Sequence, residues 1–116
     1  MAVTAQATGT KTVSVIGTEE SLATVNVAGT FTLHVDMVNM AAGDILELRI
    51  KQMVLTAGTA RVAYYQRFDG AQPTDGLIAI SVPISNELTD SGALDFRLNQ
   101  LKGTARAFPW KVLKYA

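Results

Sequence analysis

The chain has 116 residues, 48% of them hydrophobic and 17% charged, which excludes the weakly apolar, highly charged signature of disorder and is enough material for one packed core. Ten Lys plus Arg balance ten Asp plus Glu, and there is no cysteine. No net field therefore draws the chain toward nucleic acid or an anionic membrane, and disulfides, thiolate metal sites and cysteine nucleophiles are excluded.

Alternation of period two runs through almost the whole chain, and no segment has helical period, so the expected class is all-β. A Thr/Ala/Gly-rich segment, residues 1–10, reads as a short extended N-terminal arm. It has neither the positive start nor the apolar run of a secretory signal, and no stretch approaches the roughly 18 apolar residues of a membrane span, so the chain is expected to stay where it is made or to leave by lysis. The predicted strands then follow in order over 11–16, 22–27, 30–38, 45–55, 60–68, 77–84, 93–101 and 106–115. Between them stand turn residues: Gly29, Ala42-Gly43-Asp44, Ala57-Gly58-Thr59, Asp69-Gly70 through Gly76, Asn86 through Gly92, and Lys102-Gly103-Thr104. Nothing resembles a linker, so residues 11–116 form one domain. The expectation is an eight-stranded antiparallel two-sheet sandwich, jelly-roll-like.

Neighbouring side chains on a strand point to opposite faces. The predicted inward sets are Phe31, Leu33, Val35 and Met37; Leu46, Leu48, Ile50 and Val54; Val62, Tyr64 and Phe68; Ile78, Ile80, Val82 and Ile84; Leu94, Phe96 and Leu98; and Phe108, Trp110 and Val112. The opposite faces carry Thr32, His34, Asp36, Glu47, Arg49, Lys51, Arg67, Asp95 and Arg97, the composition of a solvated sheet surface.

The chain also echoes itself. Leu46-Glu-Leu-Arg-Ile-Lys-Gln-Met53 matches Leu94-Asp-Phe-Arg-Leu-Asn-Gln-Leu101 in character, and each run is followed by Gly-Thr-Ala-Arg, at 58–61 and 103–106. This suggests two hairpins of related geometry, the first longer or bulged because its spacer is longer, and it fits a duplication and a shared strand–turn–strand pattern equally.

Chemistry is sparse. His34 is the only histidine; His34 and Asp36 offer at most two metal ligands, and a solvated strand face explains them better. Asp69 and Asp75 lack the dense acidic spacing of a calcium loop, and the scattered glycines form no phosphate-cradling loop. No catalytic residue, cofactor or metal is expected, and the chain is read as a binding protein and not an enzyme. Its candidate partner-binding residues are apolar side chains that do not fit the inward sets: Met53, Leu55, Tyr65, Leu77, Leu113 and Tyr115, together with Val3 on the arm, which suits pairing with the edge of a partner's sheet.

Gly29-Thr-Phe-Thr-Leu-His-Val-Asp36, Met40-Ala-Ala-Gly-Asp44 leading into Leu46-Glu-Leu-Arg49, and Gly103-Thr-Ala-Arg-Ala-Phe-Pro-Trp110-Lys-Val-Leu113 resemble segments of small proteins encoded among the head genes of tailed bacteriophages, the capsid decoration or cement proteins. The resemblance covers roughly residues 29–115. It implies a virion protein on the outer capsid surface, present in the host cytoplasm during assembly, that bridges major capsid protein subunits and forms dimers or trimers on the shell. Neither nucleic acid nor membrane is implied as a partner. The alternative is a carbohydrate-binding or adhesion module of a phage fibre, in which Tyr64, Tyr65 or Trp110 would stack on sugar rings; the alternation places Trp110 in the core and counts against it.

Overall fold

A computed structural model describes residues 2–115; Met1 and Ala116, the outermost residues of the expected arm and domain, lie outside the described residues. The described chain forms nine strands: β1 (Val3–Thr12), β2 (Glu20–Val25), β3 (Gly29–Asp36), β4 (Ile45–Gln52), β5 (Arg61–Asp69), β6 (Ile78–Ile80), β7 (Ile84–Asn86), β8 (Leu94–Lys102) and β9 (Ala107–Tyr115), with one 3₁₀ turn at Thr74–Gly76. Their pairings are the rungs of a single long hairpin folded on itself. β4 pairs with β5, β3 with both β6 and β7, β2 with β8, and β1 with β9, all antiparallel. Successive rungs alternate between two sheets, which the pairings β3 with β9 and β4 with β8 then close.

One sheet has the order β1-β9-β3-β6, with β7 also on β3, and the other β2-β8-β4-β5. This is the jelly-roll order, two Greek keys wound as a two-sheet sandwich. The ninth strand arises because the expected strand over 77–84 breaks at Ser81–Pro83 into β6 and β7, which follow one another along the same edge of β3. Proline has no N–H to give a ladder, and Ser81 fills the gap, its hydroxyl accepting the Leu33 N–H at 2.9 Å.

The core lies between the middle strands of the two sheets. Phe31, Leu33 and Val35 of β3 and Phe108 and Val112 of β9 face Leu46, Leu48 and Ile50 of β4 and Leu94, Phe96 and Leu98 of β8, all buried. Burying each such side chain stabilises the fold by about 1.5–3 kcal/mol. These positions, with Met37, are the inward residues expected from alternation.

Elsewhere the phase is reversed. Ile78, Ile80 and Val82 are 52%, 60% and 55% exposed, while Ala79 and Ser81 between them are buried. The register Val35↔Ala79 dictates this, since directly opposed residues share a face and Val35 faces inward. Across the Ser81–Pro83 break the phase shifts by one, so Ile84, opposite Phe31, does pack on the core. β4 ends at Gln52, before the expected Leu55. Met53 turns under the sandwich as its N–H bonds the Ala93 carbonyl at 3.0 Å, and Val54 and Leu55 project into solvent. The bulge opposite Ile50 and Lys51 leaves Val62 exposed, whereas Tyr64 and Phe68 pack on the core. Of the strand expected at 11–16, only Lys11 and Thr12 are strand. Beyond them the chain crosses to the other sheet, guided by Val13 N–H to Arg106 carbonyl and Gly17 N–H to Gln100 carbonyl bonds, with Gly17 at φ +87.

The two echoing runs become β4 and β8, adjacent antiparallel strands whose matching arginines, Arg49 and Arg97, oppose each other. A local two-fold relationship therefore passes between them. The expected pair of hairpins is realised only once. β4 returns to β5 in the same sheet, whereas Gly103-Thr-Ala-Arg106 carries the chain from β8 across to β9 in the other. Gly103 takes φ +97, and a Cβ there would collide with the Asp44 carboxylate. Only glycine suits that position.

Candidate functional site

The two outer faces of the sandwich differ in kind. On the sheet β2-β8-β4-β5, Glu19 bridges Arg49 (3.2 Å), Arg97 (3.0 Å) and Lys51 (3.6 Å). Arg49 also holds Glu47 at 2.8 Å, Arg97 holds Asp95 at 2.6 Å, and Arg67 holds Asp69 at 2.8 Å. Tyr65 donates to the Glu47 carboxylate, and Arg49 stacks 5.1 Å from the centroid of its ring. That acceptor, ahead of the partial burial of the ring, pushes the Tyr65 hydroxyl above its ordinary pKa. Each charge that alternation places on this face thus has a partner within the chain.

On the sheet β1-β9-β3-β6 the outward positions are mostly uncharged. The register lines up Thr8, Lys111, His34 and Ile80 across four strands. One step further along come Thr10 opposite Pro109, and Asp36 opposite Ile78. A shallow cavity of about 370 Å³ lies here, lined by Thr8, His34, Asp36, Ile78, Pro109, Trp110 and Lys111. His34 Nε2 is 2.9 Å from Thr32 Oγ1, which in turn lies 3.0 Å from the Tyr115 hydroxyl. Burial, and then the Lys111 ammonium opposite, hold the His34 imidazole below its ordinary pKa, so it is neutral near pH 7. Neither Asp36 nor Lys111 belongs to any ion pair among the described residues.

The expected binding residues are divided by this arrangement. Val3, Leu113 and Tyr115 come together: Val3 pairs with Tyr115, and Leu113 lies between Ala5 and Thr32, all on the outer face of the first sheet. Leu77 lies next to Ile78 at the opposite end of that sheet. Tyr65 sits on the other sheet, engaged with Glu47 and Arg49, and Leu55 projects from the β4–β5 turn, 73% exposed. Met53 is buried and not available to a partner. Alternation missed Ile78 and Ile80 as surface residues, and it missed that Asp36, which accepts the Val38 N–H at 3.0 Å, and Lys111 belong to no ion pair among the described residues. Whether a charge finds an internal counter-ion depends on cross-strand register, which one strand's sequence does not encode.

The arm of the sequence reading is β1 itself, and the strand crosses the boundary set at residue 10. It pairs with β9 from Val3↔Tyr115 to Thr12↔Ala107, with a bulge at Gln6. All of it except Ala7 and Lys11 is exposed. The one large contact there is Trp110, whose ring lies across Gly9; a Cβ on Gly9 would come within 3.2 Å of it. Trp110 is therefore only half-buried, a lid on the core edge and not a member of the sealed interior.

The Tyr64, Tyr65 and Trp110 side chains named for sugar stacking do not assemble: Tyr64 packs inward, Tyr65 outward on the same sheet, and Trp110 lies in the other sheet over Gly9. Among the described residues no three His, Cys, Asp or Glu side chains gather as metal ligands would, and no helix is long and apolar enough to cross a membrane. No family model, no curated protein and no solved structure matches this chain.

Proposed function

We propose that this chain is a structural virion protein that attaches to the outside of a phage capsid and stabilises it by bridging major capsid protein subunits. The segments that resemble decoration proteins fall on β3, on the β3–β4 connection with β4, and on β9 with the turn before it. Two of these segments are tied together by the ion pair of Asp44 with Arg106 at 2.8 Å. β3 and β9 are the middle strands of the sheet whose outer face is largely uncharged. A jelly roll is a rigid scaffold that capsid and lectin domains share, so the fold agrees with this reading without selecting it.

The observation that carries the reading is the edge at β1. Natural sheets guard their edges with charge, proline or brevity. β5 carries Arg61, Arg67 and Asp69, β2 carries Glu20, and β6 and β7 are three residues each with Pro83 between them. β1 has ten residues and no charge from Val3 to Thr10, and only the bulge at Gln6 interrupts it. Such an edge suits the addition of a strand from a capsid subunit, in which main-chain hydrogen bonds supply the attachment.

Binding the assembled shell and not its separated subunits must stabilise the shell, increasingly with free protein over its dissociation constant. The test compares the disruption temperature of capsids with and without saturating protein. A rise is expected with the full chain and none with residues 2–10 deleted. Equal disruption temperatures despite demonstrated binding of the full chain would refute the bracing role.

A further inference from the structure

We propose that the outer face of the β1-β9-β3-β6 sheet is the contact surface for a second copy of this chain, packed face to face across a two-fold axis. Three observations on that face lead there, and none depends on the capsid reading.

The first is charge. Along the outward positions of these strands stand one fixed cation, Lys111, and one fixed anion, Asp36, on neighbouring strands; among the described residues neither has an ion pair, and Asp36 accepts only the Val38 N–H at 3.0 Å. On the opposite sheet, by contrast, Glu47, Arg49, Lys51, Arg67, Asp95 and Arg97 are all neutralised within the chain, and only Arg61 and Lys102, at strand ends, are not in an ion pair among the described residues. A two-fold contact is isologous, so if one residue touches a second, the second touches the first. An axis lying in the interface plane, between Lys111 and Asp36, brings Lys111 of each copy against Asp36 of the other. The face is then electrostatically complementary to itself, with two intermolecular pairs and no residual charge. Any other register would leave both ions desolvated and unpaired, which is costly, so the pair selects the register.

The second is apolar surface. Ile78 and Ile80 stand outward, more than half exposed, on the edge beside these charges, with Val82 just beyond and Pro109 in the middle of the face. The shallow cavity between them has an apolar floor that an opposing isoleucine fills.

The third is area. The strands β1, β9 and β3, eight to ten residues long, and the broken β6–β7 edge, about 4.8 Å apart, present about 500 Å² in projection. Side-chain relief raises the accessible area toward the roughly 800 Å² per partner of a standard interface. The chain exposes 5977 Å² in all, so this contact takes a modest share and leaves the lateral edge of β1 open.

The test uses the full chain in solution. Sedimentation velocity over a concentration series should show a monomer–dimer equilibrium. Lys111→Asp or Asp36→Lys alone places like charges opposite each other and should weaken the dimer at least about tenfold, and Ile80→Asp should do the same. The double exchange Asp36→Lys with Lys111→Asp restores the complementarity and should recover the dimer, which a merely structural role for either residue would not produce. Circular dichroism melts identify any variant that has lost its fold, and the double exchange read against the folded single variant then decides. A wild-type chain that stays monomeric up to about 1 mM would overturn the proposal, as would a dimer indifferent to both charge reversals. Capsid stabilisation is measured separately, so the failure of one proposal leaves the other standing.

Discussion

Arg49 and Arg97 stand directly opposite each other on β4 and β8, and Glu19, from the segment before β2, reaches both guanidinium groups at 3.2 and 3.0 Å. Like charges in directly opposed positions destabilise a sheet. Here each arginine also has a carboxylate two residues earlier on its own strand, Glu47 and Asp95. Glu19 is the shared counter-ion at the centre of a locally symmetric cluster.

Replacing Glu19 with Gln removes that shared charge and leaves the arginines facing one another. The expected loss is about 1–2 kcal/mol, above a solvent-exposed pair and below a fully buried one. Urea denaturation at low salt should show it, and added salt should shrink the difference by screening the repulsion. Equal midpoints for parent and variant at low salt would mean that Glu47 and Asp95 suffice.

Asp44, 1% exposed, ties the β3–β4 turn to the β8–β9 crossover. Burial alone would raise its pKa, but the Ala41 N–H and the Arg106 guanidinium outweigh it and hold the carboxyl below its ordinary value. A group whose folded pKa is depressed contributes stability above its unfolded pKa and loses it as the pH falls through the folded one. The Asp44 contribution should therefore be complete at neutral pH and disappear below about pH 4. Asp44→Asn should be less stable than the parent at pH 7, with the gap narrowing toward pH 2–3. A constant gap across that range would detach the ion pair from the pH dependence.

Gly103→Ala should cost more than a surface glycine substitution, about 2–4 kcal/mol, since it combines a left-handed backbone with a collision against Asp44. Gly43→Ala is the control, with positive φ but open space around it. Thermal melts of the two should differ clearly, and similar losses would reduce the effect to backbone strain alone.

Trp110→Ala should destabilise by about 2–3 kcal/mol, at or below the low end for large aromatics because the ring covers the core edge without being sealed in. Gly9→Val should displace the ring, seen as a red shift of tryptophan emission, which has this one tryptophan as its source. An unchanged spectrum would show that the ring leans elsewhere.

Attachment to a capsid should change little between roughly 50 and 500 mM salt. Arg49, Lys51, Arg67 and Arg97 already have internal partners, and β1 carries no charge over most of its length. Loss of attachment over that range, followed by co-sedimentation, would assign the contact to Lys111 or to residues outside β1.

Class, sheet count and the faces of β3, β4, β8 and β9 were legible in the sequence, because these middle strands are covered on one side and alternate without interruption. The edges were not. Ile78, Ile80, Val82 and Ile84 alternate most cleanly of all, yet three of the four point to solvent. Alternation reports the period of a strand but not its phase, and here the phase comes from Ala79 lying opposite Val35. Met53 and Val54 exchanged their expected roles because β4 stops at Gln52, and its end is fixed by a bond to the residue just before β8, Met53 N–H to Ala93 carbonyl. The N-terminal segment looked like an arm because a strand covered on neither face needs no apolar alternation. Its place in the sheet rests on the β9 ladder.

That ladder sets the response of the fold to pulling. Val3 lies opposite Tyr115, so the two ends of the described chain leave from the same corner, on neighbouring antiparallel strands. A force drawing them apart acts across the strands and breaks the β1–β9 hydrogen bonds one rung at a time, beginning at Val3. It cannot load them in parallel, as a shear along the strands would. In single-molecule stretching from its termini the protein should unzip at low force, β1 first. A peptide handle attached at the β4–β5 turn and at the C-terminus should meet much higher resistance.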